Sequence, residues 1–183
     1  MQLTNSARLS YRLMDELDGE LLFELDQDPA VMRFLNGGVP TSMADINNLF
    51  IPRMMSYRNQ AQGWGLWQCN KLDDGQFIGW ILVRPMYFFG DNRDDQDLEL
   101  GWRFKQIAWG KGYATEAAQH IANCLPQYND LNALSAIAVE DNLGSISVMK
   151  KLGMQFVKKA HHQDPLWQAE VVYYRVLLST QNK

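Results

Sequence analysis

Gly110 and Gly112 stand two positions apart in the run Trp109-Gly110-Lys111-Gly112-Tyr113-Ala114-Thr115-Glu116, and their spacing suits anion binding. Neither carries a Cβ, so a ligand can come close to the backbone there. The residues that follow have helical character, and the first N–H groups of a helix have no carbonyl partner within it. Those donors, with the positive end of the helix dipole, make a site for a phosphate or another anion. The run is not a P-loop, because no Lys-Ser or Lys-Thr follows a Gly-x-x-x-x-Gly. It is not the dinucleotide fingerprint either, which needs a third glycine. A strand, a glycine turn and a helix also serve simply to turn a corner, so the reading depends on the surrounding residues.

The elements around this run alternate between strand and helix patterns. Before it, Leu98, Leu100, Trp102 and Phe104 share one face of a strand, and Glu99, Gly101 and Arg103 share the other. After it, Ala114, Ala117, Ala118, Ile121 and Leu125 form a small-residue stripe suited to close packing on a sheet. Further strands are expected at 8–13, 65–71, 76–84, 134–139, 154–159 and 170–178. Helices are expected after Asp18, read as a cap; after Asp28-Pro29; after Ser42-x-x-Asp45, which resembles a capping box; and after Asn142, with Gly153 ending the last. The third of these carries a stripe of Ile46, Leu49, Phe50, Arg53 and Tyr57, and Pro52 should kink or split it. The segment 85–97, aromatic and then acidic, reads as a loop. Its aromatics either pack down or line a substrate mouth, and its acidic part is either solvated or draws a cationic partner.

The whole chain has 183 residues, enough for one domain, 1–183, with a substantial core. No linker or internal repeat divides it. A net charge of −4 without a Lys/Arg block argues against nucleic-acid binding. No apolar run is long enough to span a bilayer, and the N-terminus lacks a signal-peptide pattern. Cys69 and Cys124 are far apart and match buried thiols of a reducing, cytoplasmic protein. His120 is alone and His161-His162 are adjacent, where strand or helix geometry splays them, so no metal site is expected.

Two motifs taken together are more specific than either alone: Glu99-Leu100-Gly101-Trp102 followed by the glycine run, and Glu140-Asp141-Asn142-x-x-Ser145 followed by Lys151-Leu152-Gly153-Met154. With Arg8-Leu9 and Asp28-Pro29-x-Val31-x-Arg33-Phe34-Leu35, the chain resembles the GCN5-related N-acetyltransferases, and more closely the branch similar to ribosomal-protein N-terminal acetyltransferases. The family's acetyl-CoA signature is Gln/Arg-x-x-Gly-x-Gly/Ala. Gly112 and Ala114 fill its last two positions, and Trp109 replaces the Gln or Arg, which removes a side-chain donor.

The resemblance implies an α/β fold whose mixed, mostly antiparallel seven-stranded sheet is splayed between strands 4 and 5 and flanked by helices. It implies that acetyl-CoA is the co-substrate, with no metal. Its pantetheine arm would pair with the backbone of Trp102, Arg103 and Phe104, and its pyrophosphate would rest on the N–H groups of Trp109, Gly110, Lys111, Gly112, Tyr113, Ala114 and Thr115. Asn142 would orient the cofactor or cap its helix.

The implied chemistry is direct attack of a primary amine on a thioester, which needs a neutral amine, a polarised carbonyl and a proton for the thiolate. Glu99 is the candidate base, or else an anchor for the substrate. Ser145 is the candidate proton donor, ahead of Tyr113 and Tyr87. An α-amine is about one-tenth neutral at pH 7, and a lysine amine about one part in a few thousand, which favours a peptide or protein N-terminus. A polyamine, an aminoglycoside or an amino-acid derivative is the alternative acceptor. A non-catalytic acyl-CoA-binding module, or a binder of another phosphate ligand, is the alternative class. A monomer and a homodimer are both compatible with the sequence.

Overall fold

The alternation from Leu98 to Phe104 builds the central strand of the molecule. The computed structural model describes residues 1–178 and contains one seven-stranded sheet: β1 (Leu9–Leu13), β2 (Gly65–Lys71), β3 (Phe77–Met86), β4 (Asp94–Phe104), β5 (Ala133–Ala138), β6 (Gln155–Asp164) and β7 (Trp167–Leu177). The spatial order is β1-β2-β3-β4-β5-β7-β6. Neighbours are antiparallel except β4 and β5, which run parallel. That parallel pairing covers only Asp97–Ala133, Leu98–Leu134 and Glu99–Ser135. Beyond Glu99 the two strands diverge, so β4 from Leu100 to Phe104 pairs with β3 on one side and faces a gap on the other. The expected mixed sheet and its splay are both present.

Six helices flank it: α1 (Gly19–Asp26), α2 (Pro29–Asn36), α3 (Met43–Asp45), α4 (Ile51–Tyr57), α5 (Tyr113–Cys124) and α6 (Leu143–Lys151). The principal core lies between the sheet and α5 with α6. Leu98, Leu100 and Phe104 from β4 meet Ala117, Ala118 and Ile121 from α5 there. The alanine stripe lets the helix lie close to the sheet. A second cluster, with Met14, Ile46, Met54, Tyr57 and Leu66, packs the N-terminal helices on the other face.

Local sequence explains most boundaries. Asp28 accepts from the Ala30 N–H at 2.9 Å and Pro29 occupies the first turn of α2, while Gly37 ends it at φ +78°. Asn142 Oδ1 accepts from the Ser145 N–H at 3.1 Å and starts α6. Asp18 precedes α1 but does not cap it. Its carboxylate is taken by Arg12 and by the Asp15 N–H, partners stronger than a helix N–H alone. Pro52 leaves its mark as a π-wound segment, Ile46–Phe50, directly before α4. The wider winding turns Leu49 out to solvent, and the expected five-residue stripe does not form as one face.

Two segments differ from expectation. β3 continues to Met86, and β4 begins at Asp94 inside the expected loop. Asp97 is buried and bonded to Ser135 Oγ at 2.9 Å and to Arg175. β6 and β7 form a longer hairpin than expected, turning at Pro165-Leu166. The added length of β6, Ala160-His161-His162-Gln163-Asp164, is mostly polar and carries no strand pattern, whereas the added start of β7, Trp167-Gln168-Ala169 running into Glu170, does alternate apolar and polar.

Candidate active site

The gap beside β4 opens into two cavities that share a wall. The first, of about 470 Å³, lies between the glycine run and the starts of α5 and α6. Gly110 and Gly112 are both left-handed, at φ +71° and +81°, a conformation that side-chain-bearing residues resist. A Cβ at Gly112 would meet only Arg8 Nη2, at 3.6 Å, so glycine is required there by backbone conformation, not by crowding. No side chain caps α5, and Glu116 is the first residue whose N–H reaches a carbonyl of the turn, Gly112 O at 2.9 Å. Among the described residues no carbonyl accepts the N–H groups of Tyr113, Ala114 and Thr115, which line the cavity, whereas the Trp109 N–H donates to Gln106 O at 3.0 Å and, against expectation, is not free for an anion.

The loop is held from outside. Arg8 donates to Glu116 Oε2 at 2.6 Å and to Lys111 O at 3.0 Å, and its guanidinium lies 4.3 Å from the Tyr113 ring centroid. From inside, Trp109 Nε1 donates to Phe104 O at 2.7 Å, tying the loop to the end of β4. The tryptophan that replaces Gln or Arg therefore has a structural bond of its own. It occupies one lone pair of the Phe104 carbonyl, part of the backbone expected to pair with the pantetheine arm.

Trp102, Arg103, Phe104, Trp109, Gly110, Gly112, Tyr113, Ala114, Thr115, Asn142 and Ser145 all line this cavity, whereas Lys111 does not. The carbonyl of Lys111 faces Arg8 instead. The sequence reading missed the α2 wall, with Val31, Phe34 and Leu35, and the contribution of Lys151 from the last turn of α6.

The second cavity, of about 330 Å³, lies on the other face of β4, where Glu99, Gly101 and Arg103 project. Its walls include Phe50 just before α4 and Tyr57 at its end, Trp80 on β3, and His162, Asp164, Leu166 and Trp167 around the β6–β7 turn. Both cavities touch Phe34, Leu35, Trp102, Arg103, Asn142 and Ser145. At that junction Trp102 Nε1 donates to Ser145 Oγ at 3.2 Å.

The charges of the second cavity are matched internally. Glu99, 5% exposed, accepts from Arg84 Nε at 2.8 Å. Burial opposes the Arg84 charge, but Glu99 beside it more than restores it, so the guanidinium's pKa rises. Asp26 pairs with Arg103, and Asp164 pairs with Arg53 and lies 3.9 Å from Arg84 Nη1. None of these arginine partners was anticipated. Arg84 and Glu99 face each other directly across β3 and β4, so a known strand register would have revealed that pair. Burial pushes Tyr57 up to about 12.

His161 and His162 point to opposite faces of β6, as adjacent strand residues must, with His161 exposed and His162 buried. Among the described residues no cluster of His, Cys, Asp and Glu could hold a metal. No helix there is long and apolar enough to cross a membrane. Residues 91–97 line neither cavity. Arg93 pairs with Asp95 at 2.6 Å.

Comparison with known proteins agrees with this architecture. The family model of the acetyltransferase (GNAT) domain matches residues 8–155. The uncharacterized N-acetyltransferase YnaD of Bacillus subtilis is 29% identical over 176 residues, spanning 93% of this chain and 94% of the relative. A crystal structure of a GNAT-family acetyltransferase from Bacillus anthracis superposes with a TM-score of 0.73 at 24% identity, covering 94% of this chain and 96% of the other. The aminoglycoside acetyltransferase AAC(6')-Ib, solved in complex with coenzyme A, gives a TM-score of 0.72 at 17% identity over 92% and 94% of the two chains.

Proposed function

Since the chain belongs to the acetyltransferase (GNAT) family and is an N-acetyltransferase that uses acetyl-CoA, we propose that acetyl-CoA occupies the cavity beside the glycine run and that a single-amine acceptor enters the cavity on the opposite face of β4. The observation that carries this reading is the shared wall at Trp102, Asn142 and Ser145, where a thioester from one side and an amine from the other would meet. The two left-handed glycines, the uncapped start of α5 and the unpaired edge of β4 support the cofactor's position.

In this reading the amine attacks the thioester carbonyl directly. The C–N bond forms, the C–S bond breaks, and the thiolate takes a proton. The Ser145 hydroxyl already accepts from Trp102, which leaves its own O–H free to donate, so the arrangement supports Ser145 as donor to the thiolate. The Arg84 ion pair favours Glu99 as an electrostatic anchor for the cationic amine over Glu99 as base, because Arg84 Nε already donates to one carboxylate oxygen at 2.8 Å and holds the group in place.

The acceptor is an α-amine on an apolar body, a peptide N-terminus or a small amino-acid-like molecule. The cavity's three carboxylates and three arginines balance, so it has no excess of negative charge to hold several ammonium groups at once, while Glu99 can still orient a single one. This supports the peptide-directed branch over polyamine or aminoglycoside acetylation. The test is a thiol-release screen with acetyl-CoA, corrected for hydrolysis, over N-terminal peptides, amino-acid amides, polyamines and aminoglycosides. Turnover with α-amines and none with polycations is the expected result, and the reverse pattern sinks the acceptor assignment. Competition by coenzyme A but not by ATP separates the reading from that of another phosphate binder.

A further inference from the structure

Six charged side chains of the acceptor cavity are consumed in ion pairs, which leaves Tyr57 and His162 as its unpaired titratable groups, and of the two only His162 can accept a proton near neutral pH. It sits on β6, 5% exposed, and its ring forms part of the cavity wall. Nδ1 lies 3.0 Å from the Tyr173 hydroxyl. Nε2 is buried and has no hydrogen-bond partner. Such an atom carries an uncompensated desolvation cost, and a functional role is one reason for its persistence.

The surroundings fix the ring firmly. Trp167 packs against it at 5.6 Å between centroids, and Tyr173 at 6.2 Å. Behind Tyr173 stands Tyr87, at 6.3 Å, held at φ +55°, a strained conformation for a tyrosine. Burial, then the neighbouring Tyr87, raises the Tyr173 hydroxyl well above the usual tyrosine range, so it remains a neutral hydrogen-bonding group.

We infer that His162, through Nε2, takes a proton from the incoming ammonium and so delivers the neutral amine that attacks acetyl-CoA. The inference rests on the assignment of this cavity to the amine. In it Nδ1–H donates to Tyr173, which leaves Nε2, buried in the cavity wall and unpartnered, as the ring's acceptor for an ammonium that docks against it. The proton count balances. Of the ammonium's three hydrogens, one passes to His162, one remains on the amide nitrogen, and one leaves the tetrahedral adduct for the departing thiolate. The imidazolium then returns its proton to solvent.

Charge around the ring suits this role. Burial, the largest influence, opposes the imidazolium; Glu99 on β4 and Asp164 on β6 favour it, and Arg84 on β3 and His161 oppose it. The net direction is downward from the usual histidine value, so the ring is neutral and able to accept at pH 7. As pH falls through that lowered value the acceptor is lost and the rate falls with it.

The test uses the full chain with acetyl-CoA and alanyl-phenylalanine amide as the probe amine. His162→Asn and His162→Gln are expected to lower kcat/KM about 10²-fold, the scale of a lost general base. They should also remove the acid limb of the pH profile, while calorimetric affinity for coenzyme A stays at the wild-type value. Folded variants that keep wild-type kcat/KM and the same acid limb overturn the inference. If wild-type protein binds coenzyme A but does not acetylate the probe, the acceptor assignment fails instead, and imidazole nitrogen NMR of the wild type decides His162 independently. A neutral ring at pH 7, protonated at Nδ1 and free at Nε2, is the expected result. A ring protonated at Nε2, or an imidazolium, overturns the inference.

Discussion

The indole of Trp102 donates to the hydroxyl of Ser145 across the gap between β4 and the start of α6, at 3.2 Å. The bond ties the face of β4 that packs on the core to the first turn of the helix opposite. It fixes the Ser145 oxygen where the two cavities meet. Ser145→Ala is expected to lower kcat about three- to tenfold, less than the ~10²-fold of a full general acid, because a neutral serine is a weak acid. Leaving the indole N–H unpaired should cost about 1 kcal/mol of stability in denaturant titrations. A drop in coenzyme A affinity with kcat unchanged would place the serine in binding and not in proton delivery.

Gly112→Val forces a β-branched residue to φ +81° at the entrance to α5. The expected outcome is near-complete loss of coenzyme A binding by calorimetry in a variant whose far-ultraviolet circular dichroism is native. Unchanged affinity in a folded variant refutes the phosphate site.

Glu99→Gln separates anchor from base. An anchor predicts a raised KM for the amine with kcat largely kept, whereas a base predicts a fall in kcat of about 10²–10⁴. The Arg84 pair leads us to expect the first. The variant should also lose about 1–3 kcal/mol of stability, because buried Arg84 keeps only the more distant Asp164, 3.9 Å from Nη1, as a counter-charge.

Glu116 gives a pH prediction. Burial raises its pKa, but bonds from Ser6 Oγ, the Arg8 side chain and the Arg8 N–H outweigh burial and hold it below its ordinary 4.5. A folded-state pKa below the unfolded one stabilises the fold above pH 4.5, and that stability is lost as pH falls through the folded value. Thermal melts should therefore show Glu116→Gln less stable than wild type at pH 7, with the difference narrowing in acid. Parallel melting curves across that range would exclude the linkage.

Asp94→Asn with Asp95→Asn should leave the KM for the amine and its salt dependence unchanged, since neither residue lines a cavity. A salt-dependent rise in KM would show that the acidic run steers the substrate after all.

Much of this molecule was legible in its sequence because the signals were local. The two-residue alternation of Leu98 to Phe104 separated Leu98, Leu100 and Phe104, which pack in the core, from Glu99, Gly101 and Arg103, which line the cavity on the opposite face. The glycines at 110 and 112 fixed the bend, and Asp28, Asn142 and Gly37 marked helix ends by hydrogen bonds that span only a few residues. What only the tertiary structure decided depends on contacts between distant parts of the chain. Arg84 meets Glu99 because β3 and β4 share one register, and Asp164 meets Arg53 because the β6–β7 hairpin runs on to α4. Asp97 is buried although its neighbours 91–96 are exposed, because Ser135 and Arg175 come to it from β5 and β7. His162 acquired its unpartnered nitrogen in the same way: a strand's pattern shows which face a residue takes, and only the packed fold supplies or withholds the partner waiting there.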